Sequence, residues 1–243
     1  MAVRVYLRSP VAVAWTLVGG LVGGGLAVGG WLVASTLRGR GIATDPLFLG
    51  GFGELLYLVA VFLLAVLLAV VWLPFGAGVA YAVGRRARGT PASLRTSVTA
   101  VLDGSGEMGR WLKTRVAVPG LAERLLTEED VAPTEMVTGC APFVVPALVL
   151  DAPDALERAV DRANRVSPGG GRERLVAGCL VATVLATAGV YLGGVVAVPV
   201  AIAGSPLAVG LLVTGVVLTA ALDAAWRAET YATQDLSEGF RRG

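Results

Sequence analysis

The sequence has no histidine, two cysteines and one lysine, Lys113, among its twenty basic residues. Without histidine the usual Cys/His zinc sets cannot be built, so the sequence does not point to a zinc enzyme and no metal or other cofactor is expected. Cys140 and Cys179 stand in apolar surroundings and read as small hydrophobes in helix packing. Charge is also scarce, at 16% of the residues with a net value of +2. Acids and bases alternate through the loops, no long basic tract occurs, and aromatics are not clustered with the arginines. A nucleic-acid partner therefore finds no electrostatic groove and no stacking platform.

Apolar residues are what the chain has in excess. Of 243 residues 55% are hydrophobic, and the mean hydropathy of +0.73 is too high for an ordinary soluble domain. The composition predicts an integral membrane protein with the lipid bilayer as its first partner. Ala, Val, Leu and Gly dominate, and arginine replaces lysine almost everywhere, which suggests a GC-rich prokaryotic genome and hence the prokaryotic cell (inner) membrane. The basic N-terminus "MAVRVYLRSP" leads into an apolar stretch too long for a signal h-region and without an A-x-A cleavage site, so it reads as a retained span.

Four long apolar runs predict four spans, at about 11–37, 55–83, 175–203 and 207–226. The first exceeds the roughly 20 residues that a helix needs to cross the hydrocarbon. Its Gly19, Gly20, Gly23, Gly24, Gly25 and Gly29 fall into GxxxG spacings that let another backbone approach closely, and they are the candidate helix-packing residues. Trp15 and Trp31 lie near its ends, where interfacial aromatics collect. The second run would be ~43 Å long as a helix, more than the bilayer requires, and Pro74 with Gly76 and Gly78 is expected to kink it. The last two runs form a hairpin about "GSP", followed by a polar tail, "RAETYATQDLSEGFRRG".

Residues 84–135 form the largest polar stretch and read as a cytoplasmic amphipathic region. Thr90 and Pro91 supply an N-cap and a first helical position. Leu94, Val98, Val101 and Leu102 then make one apolar face, and Met108, Trp111, Leu112 and Val116 make a second. Such helices can lie on an anionic leaflet.

The segment "GCAPFVVPALVLDAPDALERAVDRANRV" poses the topological question. Its apolar part, 136–150, would reach only ~22 Å as a straight helix against a hydrocarbon core of roughly 30 Å. Basic residues in short loops are retained on the cytoplasmic side. If 136–150 does not cross, eighteen basic residues lie inside and two outside; if it crosses, ten lie on each side. The first distribution predicts a re-entrant or interfacial segment, with both termini cytoplasmic. Residues 151–166 then form a cytoplasmic helix capped by Asp151, with Ala155, Leu156, Ala159, Val160, Ala163 and Val166 on its apolar face. Asp154 with Arg158 and Asp161 with Arg165 are spaced as i, i+4 pairs.

"GSGEMG", residues 104–109, spells GxGxxG, but the motif binds dinucleotides only between a strand and a helix, and the residues before it look helical. It reads as a turn between two surface helices. Glu54 and Asp223 are the only acids at the margins of the spans, each able to reach an interface, and Asp223 stands one turn before Arg227.

"FVVPALVLD" with "DALERA", the earlier "RRARGTPASLRTSV" and the closing "TYATQDLSEGF" resemble an uncharacterised multi-pass family of bacterial and archaeal membrane proteins. That family is similar in layout to the membrane domain of some glycerophosphodiester phosphodiesterases. The resemblance implies a membrane domain without the soluble catalytic one, and it carries over no catalytic residue. The family typically has six spans, the third of which would here be reduced to the amphipathic region 92–126. It often has Ser where this chain has Ala159.

The expected architecture is all-α, a membrane-embedded helical bundle in a single domain, 1–243. The expected role is non-enzymatic: an accessory, scaffold or assembly component whose glycine-rich first span meets other membrane subunits or a second copy. The alternative is a small transporter or channel subunit, for which Thr183, Thr187 and Tyr191, on one helix face, would be the polar lining.

Overall fold

The computed structural model describes residues 2–44, 51–116, 143–151, 156–166, 171–197 and 204–241. Helix accounts for nearly all of them, and no strand occurs among the described residues. The helices are α1 (Ala2–Leu7), α2 (Pro10–Thr44), α3 (Gly51–Ala87), α4 (Leu94–Asp103), α5 (Ser105–Val116), α6 (Val144–Asp151), α7 (Leu156–Arg165), α8 (Arg172–Ala197) and α9 (Gly204–Arg241). Four of them are long and apolar enough to cross a membrane, over Pro10–Arg40, Gly51–Ala87, Arg172–Leu192 and Gly210–Gln234. The fold class is therefore an all-helical bundle with four candidate membrane spans.

Three of these helices are much longer than a crossing requires. α2 has 35 residues, α3 has 37 and α9 has 38, ~55 Å each against a hydrocarbon core of roughly 30 Å. α3 continues through Pro74 without a break in its helical assignment. α9 runs fifteen residues beyond Trp226, so most of the polar tail is helix. The extension has a physical basis: Ala221, Ala225, Ala228 and Ala232 recur at spacings of three and four, giving a continuous buried face that carries the helix past its apolar part.

By internal packing the chain divides into two compact units, and the divisions fall inside α2, α3, α8 and α9. The first unit comprises Met1–Thr16, Pro74–Gly178 and Thr219–Gly243. Its core is built from Val79 and Val83 on α3, Phe143 and Val144 at the start of α6, Ala159 and Ala163 on α7, and the alanine face of α9. α6 packs against α4, α5 and α7. Its eight residues would extend only ~12 Å, too short to cross a bilayer, and five of them are buried. Pro146 fits because it stands in the first turn, where no intrahelical N–H donor is lost. Cys140 and the rest of 136–142, the expected first half of this element, lie outside the described residues.

Two local expectations are corrected here, the N-cap of α4 and the role of Asp151. α4 begins at Leu94, with Ser93 rather than Thr90 as its N-cap. The Ser93 hydroxyl accepts the Thr96 N–H at 3.2 Å and the Thr96 hydroxyl accepts the Ser93 N–H at 3.1 Å, a reciprocal box that Thr90 and Pro91 cannot form three residues earlier. On the expected apolar face of α4 only Val101 is buried, while Leu94, Val98 and Leu102 are exposed. Asp151 closes α6 instead of capping α7; Asp154 and Ala155 lie outside the described residues.

The second unit comprises Leu17–Leu73 and Cys179–Leu218. Here the helices meet through small residues. A methyl group at Gly20 would lie 3.3 Å from Val217, one at Gly24 3.5 Å from Val213, one at Gly30 2.4 Å from Leu64 and one at Gly215 2.2 Å from Thr183. α2 thus packs on α9 and α3, and α9 on α8. Leu21, Leu32, Leu58, Phe62, Leu63, Leu185 and Leu192 are exposed.

Candidate functional site

The polar chemistry of the first unit is gathered around two aspartates. Asp151, at the end of α6, receives Arg88 Nη1 at 2.9 Å on one carboxylate oxygen. The other oxygen accepts the Tyr231 hydroxyl of α9 and lies 3.4 Å from Arg162 Nη1 of α7. The Arg88 guanidinium also stands 5.9 Å from the centroid of the Tyr231 ring, within cation–π range. Asp151 and Arg88 are only 14% and 15% exposed, so this largely buried carboxylate ties together three segments of the chain, with a partner on each of its oxygens.

Asp223 of α9 gathers a second set of donors. It accepts Arg172 Nε, at the start of α8, at 2.7 Å, and pairs with Arg227 one turn further along its own helix. The Asp223–Arg227 spacing is legible in the sequence; the Arg172 contact, fifty-one residues away, is not.

α2 is anchored into the same unit by polar side chains. The Trp15 indole N–H donates to Ser97 Oγ of α4 at 2.6 Å, and Ser97 is completely buried. The indole ring lies against Gly78, where a Cβ would come within 2.4 Å of it, and stands edge-on to Phe75 at 6.0 Å. Tyr6 of α1 donates to Thr16 at 2.8 Å. Trp15 therefore packs within the protein, whereas Trp31 is half exposed.

A cavity of about 1060 Å³ opens in this unit. Arg4 and Arg8 from the α1 segment, Arg86 from the end of α3, and Glu229 and Thr233 from α9 line it, over an apolar lining that includes Leu7. Glu229 is 8% exposed.

No protein-family model, curated protein or solved structure matches the chain.

The glycines singled out by sequence separate into two groups. Gly19 is buried, and Gly20 and Gly24 face α9. Gly23, Gly25 and Gly29 have open space where a side chain would be. The tightest glycine contacts, at Gly78, Gly84, Gly30 and Gly215, lie outside the set predicted from sequence. Gly84 is held by Leu150 of α6. GxxxG spacing marks a smooth helix face but carries no information about which bulky side chain from a distant segment lands on it.

"GSGEMG" is a helix junction. Gly104 ends α4 in a right-handed conformation and α5 begins at Ser105, with Met108 buried beneath. Among the described residues no group of three or more His, Cys, Asp or Glu could hold a metal ion. Cys179 is a free thiol.

Proposed function

We propose that the chain is a non-enzymatic, four-span protein of a prokaryotic cell membrane, acting as an accessory, scaffold or assembly component. The observation that carries this reading is the Asp151 cluster. Its acid is committed to Arg88, Arg162 and Tyr231, an arrangement suited to fixing the relative positions of helices. Open glycine positions at Gly23, Gly25 and Gly29 offer a surface on which a helix of another subunit, or of a second copy, could settle closely.

In this reading both termini and the polar regions 84–135 and 151–166 are cytoplasmic, and 136–150 is re-entrant or interfacial. The eighteen-to-two division of basic residues supports it, as does the burial of α6 within protein, since short or irregular segments at membrane depth need protein neighbours. The likeness to the multi-pass family stands as part of the same proposal. A reporter inserted at 168–171 and one fused after Gly243 should both report the cytoplasm, and one near Gly41 the exterior. External signals from the first two, with an internal one after Arg85, would mean that 136–150 crosses the bilayer.

A transporter or channel subunit is the second reading, resting on Thr183, Thr187 and Tyr191. Thr183 donates to the Cys179 carbonyl at 2.8 Å and presses on Gly215, which favours a packing role for that face. Mild-detergent purification decides between the readings. A defined complex or a stable homo-oligomer supports the scaffold, and a lone protein that changes solute flux in liposomes supports the transporter.

A further inference from the structure

In the cavity beside α1, cationic side chains of the described residues converge without being consumed by acids. Arg88, Arg162, Arg172 and Arg227 are paired with Asp151 or Asp223. Arg4, Arg8 and Arg86 instead line a concavity of about 1060 Å³ in which Glu229 is the single acid among the described residues. Three guanidiniums against one carboxylate leave an excess of positive charge in a partly enclosed space, where screening by water is weaker than at an open surface. Guanidinium forks match the oxygens of phosphate and bind them through paired N–H donors. The Thr233 hydroxyl adds a neutral polar group, while Val3, Val5 and Leu7 give the cavity apolar surface. Val3 and Leu7 are exposed, so a ligand with hydrocarbon next to its phosphate would satisfy both halves of the lining.

We propose that this cavity binds a phosphate diester of net negative charge, one without a cationic headgroup that the arginines would repel, with Arg4, Arg8 and Arg86 holding the phosphate oxygens and the α1 side chains covering the adjacent glycerol and acyl carbons. The chemistry is common to the headgroup of an anionic phospholipid and to a soluble phosphodiester, and the apolar lining favours the lipid. Glu229 disfavours more highly charged anions and so limits the site to a ligand of low net charge. The inference rests on the chain residing in a membrane and is independent of the scaffold role.

The test uses the full chain purified in a neutral detergent, with thermal unfolding followed during titration by short-chain phosphatidylglycerol, by phosphatidylcholine of the same chain length, and by glycerophosphoglycerol. Phosphatidylglycerol should raise the melting temperature saturably, because a ligand that binds only the folded state stabilises it. Added salt should weaken the effect. Arg4→Gln with Arg8→Gln should melt like the parent without lipid and lose the shift; Arg86→Gln, on another element, should reduce it. Glu229→Gln should bind phosphatidylglycerol several-fold more tightly, because a like charge is removed from the site. A shift with glycerophosphoglycerol equal to that with the lipid identifies a soluble source, and a shift confined to the lipid identifies the membrane. Equal shifts with phosphatidylglycerol and phosphatidylcholine, a shift that survives loss of the arginines, or weaker binding by Glu229→Gln would each overturn the proposal. Membrane residence is checked separately by alkaline extraction of native membranes, so its failure is distinguishable from failure of the site.

Discussion

The two units are made from the same helices yet are held together differently. In the first, polar groups join segments distant in sequence: Asp151 to Arg88 and Tyr231, Asp223 to Arg172, Trp15 to Ser97. In the second, helices meet through glycine and alkyl side chains, and an ion pair found there, Arg38 with Glu54, has both side chains about half exposed. α3 shows the change within one helix. Before Pro74 its large apolar side chains Leu55, Leu58, Phe62 and Leu63 are exposed; after it, Ala77, Val79, Ala80, Ala82 and Val83 are buried. A segment whose exterior is apolar suits a hydrocarbon solvent, which penalises unpaired polar groups. A segment whose interior is small and whose polar groups are paired can be stable beside water. The difference predicts that substitutions of equal chemistry will have unequal effects in the two units.

The largest effect is expected at Asp151. Asp151→Ala leaves Arg88 mostly buried without its carboxylate, and removing one partner of a buried pair typically costs ~3–5 kcal/mol. The loss should appear as a large drop in the thermal midpoint in mild detergent. The matched change in the second unit, Glu54→Ala, removes an exposed pair worth roughly 0–1 kcal/mol and should barely move it. Equal losses at the two sites would erase the distinction between the units.

Next come two glycines under similar steric pressure. A methyl at Gly78 would lie 2.4 Å from the Trp15 ring, and one at Gly30 the same distance from the tip of Leu64. The indole is rigid and tied to Ser97, whereas a leucine can change rotamer. Gly78→Ala should therefore cost about 1–3 kcal/mol, as overpacking does, and Gly30→Ala distinctly less. A Ser97→Ala background, which frees the indole, should narrow the gap; a gap that is unchanged would show that the Trp15 hydrogen bond is not what makes Gly78 intolerant.

What was legible in the sequence follows the same division. The four spans, the inward alanines of α7 and the Asp223–Arg227 pair arise from local periodicity, and periodicity is visible along a chain. Asp151 reads locally as a cap for the helix that follows it. Its actual partners, Arg88 and Tyr231, are sixty-three and eighty residues away, and no spacing rule reaches that far. The continuation of α9 was hidden because hydropathy falls where Arg227, Glu229 and Thr230 enter, although the alanine face persists. The cavity escaped for a related reason: Arg4, Arg8 and Arg86 each read as ordinary inside-loop charges, and only the fold brings them to one concavity with Glu229.

The smallest effect on stability, and the sharpest on association, is expected at Gly23. Nothing stands within 4 Å of the position a methyl would occupy there, so Gly23→Ala meets no steric resistance within the chain. Glycine in a helix interior is less favourable than alanine by roughly 0.5–1 kcal/mol, and the substitution should slightly raise the melting temperature of the isolated protein. Gly20→Ala, whose methyl would meet Val217 at 3.3 Å, should give less benefit or a small loss. If the open glycine face receives another helix, as the scaffold reading holds, Gly23→Leu should leave the fold intact and lower the fraction of protein recovered as a complex or oligomer. Size-exclusion profiles of the two Gly23 variants in the same detergent separate the effects. Intact folding with undiminished association would mean that this face meets only lipid, and the second unit would then be a bundle whose close helix contacts are all internal.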